Sequence, residues 1–319
     1  MQYAKILGSG SHLPSNRVSN DDLAQRIDTS DEWITTRTGI KARHIAAEHE
    51  KTSDLAVQAA LKALHNAKMS ADEIDLIVLA TTTPDMQFPA TATIVQHKLG
   101  IAGCPAFDVQ AVCAGFMYAL TTAQAYIQSG MVSKALVIGA DIFSRIVDWN
   151  DRATCVLFGD GAGAVVLGAS DEAGIIHSRL HADGAHLDLL QVPAQMCEGQ
   201  ICGSPFVKMD GQGVFKFAVK QLSAVADQVL RESHHSKEQI DWLIPHQANR
   251  RIIEATAKHL NLSMDKVILT VQEHANTSAA SIPLALDAGI QDGRIQRGQK
   301  LLLEGIGGGF AWGAVLIQY

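Results

Sequence analysis

Short apolar runs alternate along the chain with segments whose apolar residues recur every three or four positions. Residues 74–80, 107–110 and 134–140 form such runs and predict buried strands. Residues 114–128 predict a helix that ends before Gly130, because glycine readily adopts the left-handed conformation found at helix C-termini. Strands and helices in alternation are typical of α/β proteins, in which helices pack on the faces of a sheet.

Two further helix starts are predicted from residue types that favour the first turn. Ser53 is expected to cap a helix whose apolar positions include Leu55 and Leu64. Pro89 is expected to open the next helix, since the first helical position needs no N–H donor. These helices would precede and follow the strand at 74–80.

The second half of the chain repeats features of the first half in the same order. Four short matches recur at offsets of 162 to 166 residues: Ile74-Asp75 with Ile240-Asp241, Val109-Gln110 with Val271-Gln272, Gln128-Ser129-Gly130 with Gln291-Asp292-Gly293, and residues 134–139 with 300–305. This order predicts two similar α/β halves, 1–170 and 171–319, which meet in the small-residue stretch 168–174. Residues 180–215 have no counterpart and are expected to form an insertion or a loop over the fold.

The repeat also relates two strand-to-helix corners. Matching Val109 with Val271 places Cys113 opposite Ala275 and beside Asn276 of the other half. Halves related by a pseudo-twofold axis would bring these corners together. The sequence therefore predicts one site between the two halves.

Composition excludes several classes of protein. The 319 residues include 33 Asp and Glu against 26 Lys and Arg, a net charge of −7, so the basic excess of a general nucleic-acid binder is absent. No apolar stretch reaches the length of about 18 residues that predicts a membrane-spanning helix, and the N-terminal residues do not resemble a signal peptide. The five cysteines contain no CxxC pair, which favours a reduced, cytoplasmic protein. Cys197 and Cys202 lack partners for a zinc-site pattern, and no metal site is expected.

Cys113 is the first candidate for chemistry. It lies between a predicted strand and a long predicted helix. Unpaired N–H groups and the helix dipole favour a thiolate at such a position, and the same N–H groups can stabilise an oxyanion. The alternative interpretation is a buried structural cysteine.

Two polar residues of the second half occupy similar corners. His246 follows the apolar stretch 242–245, and the C-terminal end of a buried strand is where α/β proteins present groups to ligands. Asn276 is either a hydrogen-bond donor or a helix N-cap, and His274 is a competing candidate for a base. The glycines at 307–309 permit close approach to a ligand or a plain tight turn.

Six motifs together resemble one family along nearly the whole chain. They are DTSDEWITTRTGI at 28–40, AVCAGF at 111–116, VLFGDGAGAVVL at 156–167, PHQANRRI at 245–252, HANTSAAS at 274–281 and GGGFAWG at 307–313. This set resembles the β-ketoacyl-acyl carrier protein synthase III family, the condensing enzymes that initiate fatty acid synthesis. The resemblance implies an α/β, thiolase-like fold with two duplicated halves in a layered αβαβα arrangement, and a homodimer.

The resemblance also implies the reaction. Cys113 would take an acyl group, typically acetyl, from acyl-CoA. Malonyl-acyl carrier protein would then lose CO₂, and the resulting carbanion would attack the acyl-cysteine. His246 and Asn276 would stabilise the enolate oxygen, while the N–H groups of Cys113 and Gly308 would form the oxyanion hole. No cofactor is expected, since the CoA thioester is a substrate.

Binding positions carry over in the same way. Trp33 and Arg152 match the pair that stacks on the CoA adenine. Thr29, Arg37, Gly211, Ala248 and Asn249 match positions along the CoA path. Phe88 matches the residue that crosses the dimer interface to the acyl pocket, and its bulk would favour short acyl groups.

An acidic carrier protein would seek basic residues. The segment Gln247, Ala248, Asn249, Arg250 and Arg251 matches the family's docking segment. Lys216 and Lys258 could extend it, although Lys258 could equally lie on a solvated helix face. One departure from the family pattern is Ile306, where many relatives have Phe before the glycines, and it affects the expected shape of the malonyl pocket.

The nearest alternative is a related condensing enzyme of specialised metabolism, which would use the same Cys, His and Asn on another acyl-CoA. Other classes fit the motifs less well. Thiolases need a second cysteine near the C-terminal glycines, and elongating synthases need a second histidine in place of Asn276. A non-catalytic scaffold that binds a carrier protein would not require all three polar residues.

Overall fold

A computed structural model describes residues 2–319. Its strands are β1 Tyr3–His12, β2 Asn16–Ser19, β3 Ala42–Ile45, β4 Leu76–Ala80, β5 Ala106–Val109, β6 Lys134–Ile142, β7 Asp160–Ser170, β8 Ile175–Ala182, β9 Leu190–Gln191, β10 Gln195–Cys197, β11 Gln200–Cys202, β12 Lys208–Met209, β13 Trp242–Pro245, β14 Lys300–Gly307 and β15 Ala311–Gln318. Its helices are α1 Asn20–Ala24, α2 Asp31–Thr38, α3 Thr52–Ala67, α4 Thr91–Lys98, α5 Gly115–Gln128, α6 Arg152–Cys155, α7 Gly211–Glu232, α8 Arg250–His259, α9 Val271–His274 and α10 Ser281–Gln291.

Two sheets of matching topology organise the chain. The first has the strand order β1-β7-β6-β4-β5, and the second has the order β8-β15-β14-β13. In both sheets the central parallel pair, β6 with β4 or β14 with β13, is followed outward by antiparallel neighbours. The first sheet ends at Ser170 and the second begins at Ile175.

The sheets and helices stack in five layers. Alternate residues of β4 face opposite sides, so Leu76 and Val78 pack against α5 and α10 between the sheets, while Ile77 and Leu79 pack against α3 and α4. The second sheet buries its other face against α7 and α8. This order confirms the predicted αβαβα arrangement.

Both predicted helix starts are wrong in detail. The helix α3 begins at Thr52, and Ser53 lies inside its first turn, where its N–H and hydroxyl both donate to the Asp85 carboxylate at 2.8 and 2.6 Å. A carboxylate distant in sequence therefore accepts a hydrogen bond from the first turn of this helix. Pro89 lies one residue before the N-cap of α4, which is Ala90.

The structure also corrects the register of the repeat. A 3₁₀ turn precedes each central helix, at Val112–Ala114 before α5 and at Ser278–Ala280 before α10. The offset at these turns is 166 residues, so the counterpart of Cys113 is Ala279 and not Ala275. The match of Val109 with Val271 fails because the second half has no equivalent of β5 and retains only a bridge between Leu243 and Val267.

The insertion that the sequence predicts at 180–215 is shorter in the structure, where residues 183–210 connect β8 to α7. It contains two small antiparallel pairs, β9 with β12 at its base and β10 with β11 at its tip. Within residues 2–319, no helix is long and apolar enough to cross a membrane.

Candidate active site

A cavity of about 600 Å³ runs from the protein surface to the contact between the two halves. At its buried end lie Cys113, His246 and Asn276, which are 3%, 4% and 7% exposed. At its exposed end lie Trp33 and Arg37 of α2 and residues near the starts of α7 and α8. The three polar residues that the sequence singled out therefore share one enclosed space.

Cys113 is held at a strained corner. Val112 has a φ of +49°, a conformation that β-branched residues rarely adopt, and Cys113 follows in the first turn before α5. Helical N–H groups at such a start have no intrahelical partner. The thiol lies 3.6 Å from the Ser278 hydroxyl of the opposite corner.

The thiol does not show the lowered pKa that the helix start predicted. Burial raises the pKa of Cys113 to about 12, and it outweighs the opposing hydrogen bonds from Ser278 and Asn276. Burial therefore favours the neutral thiol, which must lose its proton before the sulfur can act as a nucleophile.

The glycine turn packs directly on the backbone of Cys113. A Cβ atom added at Gly307 would lie 2.5 Å from the Cys113 nitrogen and 2.7 Å from the Ala111 oxygen. A Cβ atom at Gly308 would instead meet the Leu190 oxygen at 2.7 Å. The sequence indicated the glycine triplet but did not show that Gly307 is the member that packs on the Cys113 backbone.

His246 is fixed by the second sheet. It lies directly after β13, and its backbone N–H donates to the Glu304 carbonyl at 2.8 Å. Burial lowers the pKa of its imidazole to about 3, so the ring is neutral at physiological pH. Within residues 2–319 its Nδ1 atom has no hydrogen-bond partner.

Asn276 presents one half of its amide to the cavity. The side-chain Oδ1 of Asn276 accepts a hydrogen bond from the Ser278 N–H at 2.9 Å. The backbone N–H of Asn276 donates to the Leu157 carbonyl at 2.9 Å. The oxygen is thus occupied, which leaves the Nδ2 hydrogens to donate. The alternative role as a helix N-cap does not apply, because α10 begins only at Ser281.

Asp141 supports this corner and was not found from the sequence. Its buried carboxylate accepts a hydrogen bond from the Ala279 N–H at 3.0 Å with Oδ2. Its Oδ1 accepts from the N–H groups of Thr82 and Thr83 at 2.7 and 3.1 Å. The available signal in the sequence was an Asp at the end of an apolar strand, because a buried carboxylate requires hydrogen-bond partners.

The competing histidine lies outside the cavity. His274 is not among the lining residues, and burial lowers the pKa of its ring to about 4. Its backbone oxygen packs against Gly159. His246 is therefore the histidine that lines the same cavity as Cys113.

The predicted adenine-stacking residues lie together at the exposed end. The Arg37 and Arg152 guanidinium carbons lie 4.5 and 4.9 Å from the centre of the Trp33 ring. Arg152 also donates to the Asp28 carbonyl at 2.8 Å. An aromatic base entering here would find a flat surface flanked by two cations.

The other predicted CoA positions divide into two groups. Gly211, Ala248 and Asn249 line the cavity, and the Asn249 side chain ties α8 to α2 by donating to the Arg37 carbonyl at 3.1 Å. Thr29 does not line it, and its hydroxyl is buried with no partner among residues 2–319.

The predicted docking segment needs one correction. Gln247 is fully buried, and its amide bonds the carbonyls of Pro245 and Ile268 and the N–H groups of Thr270 and Val271. All of its hydrogen-bonding capacity is used internally, so its side chain cannot contact a docked protein.

The basic residues of that segment remain on the surface. Arg250, Arg251, Lys216 and Lys258 are exposed, and Arg251 and Lys216 lie at the mouth of the cavity. Arg250 pairs with Glu254 at 2.7 Å, one turn along α8. Arg251 lies 5.9 Å above the centre of the Phe215 ring.

Two further positions concern the acyl pocket. Phe88 is 81% exposed and does not line the cavity of its own chain. Ile306 does line it and is 7% exposed. Within residues 2–319, no group of three or more His, Cys, Asp or Glu side chains is arranged to hold a metal ion.

Comparison with known proteins assigns the family. The family model for 3-oxoacyl-[acyl-carrier-protein] synthase III matches residues 107–184, and the model for its C-terminal part matches residues 230–319. The chain is 75% identical over 320 residues to a β-ketoacyl-[acyl-carrier-protein] synthase III of Neisseria gonorrhoeae and 60% identical over 319 residues to that of Laribacter hongkongensis, each chain being covered in full. It superimposes on the crystal structure of 3-oxoacyl-[acyl-carrier-protein] synthase III from Aquifex aeolicus with a TM-score of 0.95 at 47% identity, covering 99% of this chain and 100% of that one. These matches confirm the predicted thiolase-like fold, and the chain belongs to the β-ketoacyl-acyl carrier protein synthase III family.

Proposed function

We propose that this protein condenses a short acyl-CoA, with acetyl-CoA the expected primer, with malonyl-acyl carrier protein and so initiates fatty acid synthesis. The observation that carries the proposal is the convergence of a thiol, a neutral imidazole and an amide donor at the buried end of one cavity. Membership of the family supports the same reaction.

In the first half-reaction, Cys113 would become acylated. Its sulfur attacks the thioester carbonyl of acyl-CoA, a new sulfur–carbon bond forms, and the bond to the CoA sulfur breaks. His246 is the histidine among the lining residues and would carry the thiol proton to the departing CoA thiolate. The N–H groups of Cys113 and Gly308 would stabilise the tetrahedral oxyanion.

In the second half-reaction, malonyl-acyl carrier protein would lose CO₂. The electron pair of the broken carbon–carbon bond moves into the thioester, whose enolate oxygen becomes negative. The N–H of neutral His246 and the Nδ2 of Asn276 would donate to this oxygen. The enolate carbon then attacks the acyl carbonyl and forms a carbon–carbon bond. The bond to the Cys113 sulfur breaks, and the departing thiolate takes a proton from solvent to regenerate the thiol.

Substrate and partner contacts follow from the exposed end of the cavity. Trp33, Arg37 and Arg152 would hold the CoA adenine and its phosphates. Arg251, Lys216 and Lys258 would attract an acidic carrier protein, with Arg250 at the edge of this surface. The 81% exposure of Phe88 supports a homodimer in which this ring reaches the partner's acyl pocket.

Incubation with acetyl-CoA tests the nucleophile. We expect an intact mass increase of one acetyl group, located on Cys113 by peptide mapping and absent in Cys113→Ser. Cys155→Ser, which alters another buried cysteine, serves as the matched control and should still be acylated. No adduct, or a thioester that persists elsewhere in Cys113→Ser, would contradict the mechanism.

Product formation with malonyl-acyl carrier protein across acyl-CoA chain lengths tests the primer. We expect the highest rate with acetyl-CoA. A preference for long or branched primers would point instead to the condensing enzymes of specialised metabolism.

A further inference from the structure

Two cysteines outside the cavity face each other on the tip of the insertion. Cys197 ends β10 and Cys202 ends β11, and the two strands pair antiparallel with Gln195 opposite Cys202 and Cys197 opposite Gln200. Side chains alternate across a strand, so these four residues share one face of the hairpin, while Met196 and Ile201 occupy the other. The cysteines are therefore diagonal neighbours on one face.

Diagonal neighbours in a flat ladder lie about 7–8 Å apart at Cα, slightly beyond the range of about 4.4–6.8 Å that a disulfide spans. Two-stranded ribbons twist more strongly than larger sheets, and the twist brings one diagonal pair closer. The nearby Cys202 thiol raises the pKa of Cys197. The ladder register places both cysteines on one face, and the twist of the ribbon would bring them within reach of a disulfide.

The hairpin is not part of a larger sheet. It forms a sheet of two strands only, joined through Glu198 and Gly199, both with positive φ. An isolated hairpin of this kind is only marginally stable in water. Its face opposite the cysteines is exposed, with Met196 at 53% and Ile201 at 63%. A covalent link between the strands would stabilise it.

The remaining cysteines are placed differently. Cys113 and Cys155 are buried, and Cys104 accepts a hydrogen bond from the Gln96 amide at 3.2 Å. Cys197 and Cys202 are partly accessible, and both are free thiols in this structure. The base of the same insertion reaches the cavity, which Leu190 and Met209 help to line.

We propose that Cys197 and Cys202 form a reversible disulfide, by exchange with a low-molecular-weight disulfide such as that of glutathione, which fixes the tip of the insertion. The Cys202 thiolate attacks one glutathione sulfur, forms a mixed disulfide and releases one glutathione thiolate. The Cys197 thiolate then attacks the Cys202 sulfur, forms the internal disulfide and releases the second glutathione thiolate. The two cysteines are oxidised, one glutathione disulfide is reduced to two thiols, and the two cysteine protons end on those thiols.

The test uses the full-length chain in a Cys113→Ala background, so that the cavity thiol does not react. With glutathione disulfide we expect the loss of two titratable thiols and two hydrogen atoms by intact mass, reversed by dithiothreitol. Cys197→Ser and Cys202→Ser should each retain one glutathione instead, because the mixed disulfide cannot be resolved. Cys104→Ser, a matched change at another partly buried cysteine, should close like the parent.

Two results would overturn the proposal. One is a parent protein that keeps two glutathione adducts or reacts at neither cysteine. The other is an internal disulfide that still forms in Cys197→Ser. Hydrogen exchange of residues 195–202 should also slow on oxidation, and unchanged exchange would show that the link does not fix the tip.

Discussion

The two corners that meet at the site share a backbone design and differ in one contact. Val112 and Ser278, 166 residues apart, have φ values of +49° and +52°, and each precedes a central helix. The next N–H along the chain belongs to Cys113 in one half and to Ala279 in the other. The Ala279 N–H is bound by the Asp141 carboxylate, whereas the Cys113 N–H faces Gly307.

Asp141 and Gly307 are themselves equivalent, at the ends of the matching strands β6 and β14 and again 166 residues apart. A carboxylate therefore closes one corner, and a glycine leaves the other corner open. The closed corner supports the turn that holds Asn276. In the proposed mechanism, the open corner keeps the Cys113 N–H available to a substrate oxygen. One duplicated turn would then serve as a support in one half and as the reaction centre in the other.

The largest expected effect comes from removing the donor at the supporting corner. Asn276→Asp keeps an oxygen to accept the Ser278 N–H but loses the amide hydrogens. We expect malonyl decarboxylation to fall by about 10²–10³-fold, the usual effect of losing one oxyanion donor. Acylation of Cys113 should change much less, because that step uses the other corner.

Separate assays of radiolabelled CO₂ release and of Cys113 acylation would measure the two steps. Asn276→Ala tests the same donor with the Ser278 contact also removed. Equal loss of both half-reactions in Asn276→Asp would contradict the division between the corners.

A side chain at Gly307 should close the open corner. In Gly307→Ala the new Cβ would lie 2.5 Å from the Cys113 nitrogen, so the turn or the nucleophile must shift. We expect acylation by acetyl-CoA to slow by about 10²-fold, since a displacement of about 1 Å at a reacting group has effects of that size. Gly184→Ala is the matched control, because its Cβ would meet nothing within 4 Å. Rapid-quench measurement of acyl-enzyme formation checks both variants, and a normal rate in Gly307→Ala would refute the role of this contact.

Much of this arrangement could be predicted from the sequence. Hydrophobic periodicity located β4, β6 and α5. The repeat predicted two similar halves with one site between them, and the structure has two sheets of matching strand order and one cavity lined by Cys113, His246 and Asn276. Contacts between residues distant in sequence could not be predicted in this way. The Asp85 carboxylate at the start of α3, the Asp141 bond to Ala279 and the burial of Gln247 all depend on how the layers pack.

The thiol of Cys113 is a second case of the same limit. Local sequence predicts a helix start that lowers its pKa, but the depth of burial is a tertiary property and raises that pKa instead. The repeat register failed for a related reason. In the second half only a bridge at Val267 stands in the place of β5, and the helix α9 lies between this bridge and the turn, so Val109 and Val271 do not occupy equivalent places.

Asp141→Asn tests whether the closed corner is a support. An asparagine at this position fills the same space. Its NH₂ group, however, replaces one of the two carboxylate oxygens and would meet the N–H of Thr82 or of Ala279, which is also a donor. We expect a loss of about 2–3 kcal/mol in unfolding free energy, the range for hydrogen bonds to a buried charged group. We also expect a smaller loss of decarboxylation than in Asn276→Asp, because Asp141 acts on Asn276 only through residues 277–279.

Asp287→Asn is the matched control, since Asp287 is a buried carboxylate bonded to Ser9 and Ser11 away from the cavity. Denaturant unfolding combined with CO₂ release at a temperature where both variants are folded would separate the two effects. Equal decarboxylation rates in the two variants would mean that Asp141 stabilises the fold without positioning the donor.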